Sequence, residues 1–166
     1  MKTTMKTNIR TSIYLSLAAI LWTAALAGPA AAAEKQVPFN GSLAGTSTIS
    51  DTFPIATVSA NLTGNATHLG RFTLSLPHEV NLADTPVSAT GTFVFIAANG
   101  DQVSGTFTGL VDSAAPPVFH VTETATITGG TGRFAGATGG FTMLRSLNVD
   151  LTTSGSFSGT ISFSGQ

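Results

Sequence analysis

From Leu151 to Phe163 the chain alternates strictly: Leu151, Thr153, Gly155, Phe157, Gly159, Ile161 and Phe163 fall on one face, and Thr152, Ser154, Ser156, Ser158, Thr160 and Ser162 on the other. A period of two residues builds a strand with one buried and one wet face. The same alternation recurs through the chain and predicts eight strands, at about 37–50, 55–63, 66–77, 88–98, 101–112, 118–128, 137–147 and 150–164. No stretch after Ala33 spaces its apolar residues at helical intervals. Pro77, Pro86 and Pro116-Pro117 then fall between strands, where a missing backbone donor is harmless. The fold class is all-β: an eight-stranded antiparallel barrel, with a β-sandwich as the alternative. The barrel is preferred because two long terminal strands would otherwise be bare edges.

One hairpin can be read to its register. A two-residue turn at Asn99-Gly100 would put Phe93 and Phe95 on one face with Thr106 and Ser104. A three-residue loop, Ala98-Asn99-Gly100, instead sets Phe95 across from Val103, Phe93 across from Gly105 and Gly91 across from Phe107. The second arrangement gives each ring an apolar or glycine neighbour, so the sequence predicts it, with Gly100 left-handed in a bulge. Gly-x-Phe recurs at Gly70, Gly91, Gly105, Gly132 and Gly155 at unequal intervals, which excludes a solenoid or propeller repeat. Glycine lets a curved strand bend, and Phe fills the space beside it.

The first 33 residues break the pattern. Lys2, Lys6 and Arg10 precede an apolar run from Ile13 to Leu26, and Gly28-Pro29 and the tract Ala30 to Ala33 follow. This is the order of a secretory signal peptide. The run, about 14 residues, is short of the roughly 20 that cross a bilayer. Cleavage near Ala33 would leave one domain, residues 34–166, with no membrane span and a secreted or periplasmic location. That domain holds four cations (Lys35, Arg71, Arg133 and Arg145) against eight acids, a net of −4, which excludes a basic nucleic-acid surface. Cys is absent, which excludes disulfides, thiol catalysis and thiolate metal sites. All eleven Phe lie after Ala33, and with the alternating Val, Leu and Ile they argue for a packed core in a chain otherwise rich in Gly, Ser and Thr.

Candidate chemistry is sparse. The run from Thr128 to Gly140, with Gly129, Gly130, Gly132, Arg133 and Phe134, has neither the Gly-Lys-Ser/Thr of a phosphate loop nor a helix after it, and reads as a structural connection with Phe134 plugging the core. Serines abound without a nucleophile elbow. His68, His78 and His120 match no metal-ligand spacing. His120 alternates with threonines on the wet face, and His78 follows Pro77 in a loop. His68 shares parity with Gly70, Phe72 and Leu74 and would point inward at the edge of the core. Two charges violate the pattern. Glu123 sits among Phe119, Val121, Ala125 and Ile127, and Arg145 among Phe141, Met143 and Leu147. An unpaired charge indoors is costly. The two strands are sequence neighbours, so the readings are an ion pair inside the barrel or at its mouth, with or without a ligand, or a bulge that turns either side chain to solvent. Glu123, Arg145 and His68 are the candidate ligand-binding residues; no residue is assigned to catalysis or to a metal.

Three stretches carry a resemblance: Ala66 to Thr73, Ala97 to Gln102, and Ile127 to Gly139. Together they resemble a family of small secreted bacterial proteins of unassigned function. The third is also similar to the Gly-Gly-Thr-Gly-Arg/Lys-Phe signature of the allene oxide cyclase and dirigent barrels of plants. Those families are eight-stranded antiparallel barrels that need no cofactor, bind apolar or phenolic intermediates and guide ring closure or coupling. The resemblance implies the fold. The acidic and tyrosine side chains of the plant pockets match no position here, and the domain after Ala33 has no Tyr, so the catalysis does not carry over. The sequence therefore reads as an exported, cofactor-free barrel acting as a binding or structural module for a small apolar or carbohydrate-like ligand, with a cofactor-free isomerase or cyclase, or a surface adhesion protein, as alternatives. A homo-oligomer is compatible with this reading.

Overall fold

The computed structural model describes residues 35–50 and 52–163, apart from the side chains of Ser113 and Ala114. The signal peptide expected over residues 1–33 lies outside the described residues. The elements are β1 (Val37–Pro38), β2 (Gly41–Ser50), β3 (Ile55–Ala66), β4 (Gly70–Asn81), β5 (Ser88–Ala97), β6 (Gln102–Ala115), β7 (Val118–Gly130), a single 3-10 turn (Gly132–Phe134), β8 (Thr138–Asn148) and β9 (Thr152–Ser162). Each strand from β2 to β9 pairs antiparallel with the next, and β9 pairs back with β2, closing an eight-stranded barrel. Closure gives every long strand two partners, which is what the two regular terminal segments require. β1 extends the line of β2 along β9: Val37 sits opposite Ile161 and Gly41 opposite Phe157 in one unbroken register. Between them Phe39 donates its N–H to the Gly159 carbonyl and buries its ring completely.

Two boundaries differ from the sequence reading. The connection expected at residues 64–65 lies at 67–69, because Thr67 is tied to the segment between β1 and β2. Its hydroxyl accepts from the Asn40 N–H and donates to the Pro38 carbonyl, each at 2.9 Å. His68 then turns at φ +63° and does not continue the inward row of β4. The other difference is Pro77, which lies inside β4 and not between strands. The ladder with β3 runs through Ser59 and Pro77, while the ladder with β5 holds Ser75–Val94 and His78–Gly91 and skips the two residues between. Pro77 faces solvent and sits at this gap in the β5 ladder, where a missing donor breaks no pairing. As a result β4 is four residues longer at this end than expected, and His78 and Val80 join the interior row.

The lower half of the barrel is filled with rings. Phe39, Phe72, Phe93, Phe95, Phe141 and Phe157 meet with centroids 4.9–6.2 Å apart, mostly edge to face. The end carrying the β3–β4, β5–β6 and β7–β8 connections is shut. Phe134 is fully buried against Phe163 at 5.1 Å, Leu69 packs into the same core, and Arg133 lies over the Phe134 ring at 4.8 Å. Arg133 also donates to the His68 carbonyl at 2.6 Å and faces Asp101 at 3.7 Å. The Gly129–Phe134 segment is thus a structural cap.

The β5–β6 hairpin has the bulged register, with Phe95 opposite Val103, Phe93 opposite Gly105 and Gly91 opposite Phe107. Gly100 sits at φ +88°, with no atom within 4 Å of where a Cβ would stand. Gly100→Val is therefore expected to cost about 1 kcal/mol or more through backbone strain alone. Urea unfolding measures it, and a neutral substitution would mean that the loop has a different form.

Candidate functional site

The opposite end of the barrel, which carries the β2–β3, β4–β5, β6–β7 and β8–β9 connections, is open. It holds a cavity of about 270 Å³ whose walls are apolar, among them Ala56, Val58, Val80, Val87, Val121 and Leu147. On four strands the deepest lining residue is polar: Ser47 on β2, His78 on β4, Glu123 on β7 and Arg145 on β8. The next inward residues along β4, β7 and β8, Leu76, Ala125 and Met143, already belong to the core. The cavity thus has an apolar wall, a polar floor and an aromatic plug beneath.

Glu123 and Arg145 form that floor as a bidentate pair. Arg145 Nε donates to Glu123 Oε2 at 2.9 Å and Nη2 to Oε1 at 2.5 Å, with the side chains 1% and 4% exposed. The remaining terminal nitrogen, Nη1, points to the Thr153 hydroxyl at 3.5 Å, and that hydroxyl donates to the Ser146 carbonyl at 2.9 Å. The fork geometry and the near-complete burial make such a pair strong once assembled and costly to break.

A local rule explains why large polar side chains fit inside a small barrel. Each is opposite a glycine on a neighbouring strand: His78 faces Gly91, Glu123 faces Gly109 and Arg145 faces Gly155. A Cβ on Gly91 would stand 2.5 Å from His78 Cβ, one on Gly109 would stand 3.1 Å from Glu123 Cγ, and one on Gly155 would stand 3.0 Å from Arg145 Cγ. These glycines provide the volume that the polar groups occupy.

His78 is the residue that sequence reasoning missed. It is 8% exposed, its ring lies edge-on to Phe107 at 5.5 Å, and Nδ1 is 2.9 Å from the Leu76 carbonyl. A carbonyl only accepts, so Nδ1 carries the proton and Nε2 is an acceptor. Burial, aided by the Arg145 charge, lowers the His78 pKa below its ordinary 6.5, against the opposing pull of the Leu76 carbonyl and Glu123. The unfolded chain therefore takes up a proton near 6.5 while the folded protein resists it to lower pH. Full stability is present above that value and falls as the pH drops below it. The expected result is that His78→Leu loses part of this acid-side decline in urea unfolding between about pH 7.5 and about pH 5. An unchanged pH dependence would mean that His78 is not held neutral.

The structure brings Glu123 and Arg145 together and separates His68 from them. His68, expected to point inward, is half-buried in the β3–β4 turn at the shut end, with its ring 5.6 Å from Phe163. His120 lies on the outer face, its Nδ1 3.3 Å from the Ser146 hydroxyl. Among the described residues no three His, Cys, Asp or Glu side chains converge as a metal site, and no helix is long and apolar enough to cross a membrane.

No family model and no curated protein matches the chain. Among solved structures it is similar to the pterocarpan synthase dirigent protein GePTS1, with a TM-score of 0.52 over 82% of this chain and 95% of that one. The fold is dirigent-like. At 14% identity the likeness concerns the backbone path, and the side chains of the open end have to be read on their own. In this dirigent-like barrel they form one apolar chamber with two groups already engaged to each other, Glu123 and Arg145, and two with unused hydrogen-bonding capacity, His78 and Ser47.

Proposed function

We propose that this dirigent-like barrel is an exported binding module that takes a small, mainly apolar molecule into its open end. The observation that carries the reading is the cavity: about 270 Å³, with apolar walls and polar groups only at its floor. Sites for drug-sized ligands run from roughly 300 Å³ upward and combine apolar walls with a few placed polar groups, so a cavity just below that size suits a smaller molecule. The wall offers a sugar too few partners, which favours an apolar ligand over a carbohydrate-like one. Binding is also favoured over a cofactor-free isomerase or cyclase, because both carboxylate oxygens of Glu123 are taken by Arg145. A general base has to reach the proton it removes.

A wall substitution tests the site. Ala89 lines the cavity beside Gly109, and Ala89→Trp should fill it. Calorimetric binding of 2-adamantanone to the wild type, abolished in a variant of unchanged circular dichroism, supports the reading. Undiminished binding in the variant would place the ligand elsewhere. Export is supported by the order of charged, apolar and small residues in 1–33. N-terminal sequencing of exported material should begin at Glu34, and an intact Met1 there would overturn it.

A further inference from the structure

We infer that the chamber selects an uncharged apolar molecule carrying a hydrogen-bond donor, which binds His78 Nε2 and Ser47 Oγ at the floor, and that it rejects a carboxylate of the same shape. This rests on the binding function proposed above and adds the chemistry of the ligand.

Two polar atoms at the floor have no partner among the described residues. Ser47 is 5% exposed, lines the cavity, and its Oγ has no hydrogen-bond partner among the described residues. His78 uses Nδ1 on the Leu76 carbonyl, and no described residue donates to Nε2. Buried polar groups are nearly always paired, so an unpaired serine hydroxyl beside a cavity marks a place for a bound molecule. A neutral imidazole whose Nδ1 is the donor can only accept at Nε2, so the bound group must donate. The serine hydroxyl both donates and accepts, and it accommodates the same group. A ligand hydroxyl has the donor and acceptor capacity to suit either atom, whereas a ketone can pair with Ser47 alone.

The charges point the same way. The groups facing His78 from the packed strands are Val58 on β3, Gly91 on β5, Phe107 on β6, Glu123 on β7 and Arg145 on β8. The two charged ones neutralise each other. Arg145 is the sole cation among the described residues at the open end, and two of its three guanidinium nitrogens are committed to Glu123. Arg71 and Arg133 belong to the shut end, while Glu79, Asp84, Asp112 and Asp150 lie at the open one. A carboxylate entering here would lose its water and meet no free cation, which is an uncompensated cost.

Three probes built on one cage separate the possibilities in the intact protein: 1-adamantanol, which donates; 2-adamantanone, which only accepts; and adamantane-1-carboxylate. Calorimetry near neutral pH should rank the alcohol at least about tenfold tighter than the ketone, with no measurable binding of the carboxylate. His78→Phe should bring the alcohol down to the affinity of the ketone and leave the ketone unchanged. Ser47→Ala, a smaller change, should weaken both. Equal affinity for alcohol and ketone in the wild type would overturn the inference while leaving the binding function intact. Preferred binding of the carboxylate would overturn it as well, and failure of all three to bind would remove both.

Discussion

Arg145→Ala is expected to destabilise the barrel by about 3–5 kcal/mol, because it leaves the Glu123 carboxylate buried without its partner. Glu123 is 1% exposed, and Arg145 supplies both of its hydrogen bonds. The magnitude comes from the carboxylate that is left behind and not from the value of the pair, so replacing both residues should be milder than replacing one. The double variant Glu123→Leu/Arg145→Met should cost less than Arg145→Ala alone. Urea unfolding of the single variants Glu123→Leu and Arg145→Met and of their double should give a coupling of at least about 0.5 kcal/mol. Additive costs would show that the two side chains are satisfied separately.

Phe95→Ala should be of similar size, about 3–5 kcal/mol, for a different reason. Phe95 is fully buried, and its ring meets those of Phe39, Phe72, Phe93, Phe141 and Phe157. Its neighbours come from β4, β8, β9, the β1–β2 junction and its own strand, so no single strand can move in to fill the space. Truncation therefore loses both transfer energy and contacts. A cost below about 1 kcal/mol would mean that the lower half of the barrel is loosely packed, and the separation into an aromatic plug and an open chamber would fail.

The alternation of residues 118–128 and 137–147 gives Glu123 and Arg145 inward parity, because parity is a local property of a strand; that no bulge turns them out is seen only in the structure. The bulged β5–β6 hairpin was legible for the same reason: its residues pair with near neighbours. His68 and His78 were not. They share one parity, and the choice between them depends on where β4 begins and ends. Its start is set by Thr67 bonding to Pro38 and Asn40, contacts across 27 to 29 residues that no local pattern carries. Pro77 looks like its end, but β4 runs on because the ladder to β5 is interrupted at that position and the missing donor breaks no pairing. A usable signal lies in Gly91. The sequence pairs it with Phe107 on β6, yet it also faces β4, where the open space it leaves is filled by His78. Gly109 and Gly155 stand in the same relation to Glu123 and Arg145.

That relation links the sequence to the proposed activity. Large polar groups enter the barrel only where a facing glycine gives them room, and they stop at one depth, above the rings and below the apolar wall. The shut end is held by Phe134, Phe163 and the Arg133 contacts, which leaves the open end as the place where a molecule can enter.

The most direct test is a methyl-resolved NMR titration of the protein with 1-adamantanol. Saturable shifts should be confined to the chamber methyls of Ala56, Val58, Val80, Val121 and Leu147, leaving the core methyls of Leu62, Leu74 and Ile127 and the exposed Ile96 and Leu144 unmoved. Unshifted chamber methyls at saturating probe, or shifts centred on Ile96 and Leu144, would contradict a binding site in the open end of the barrel.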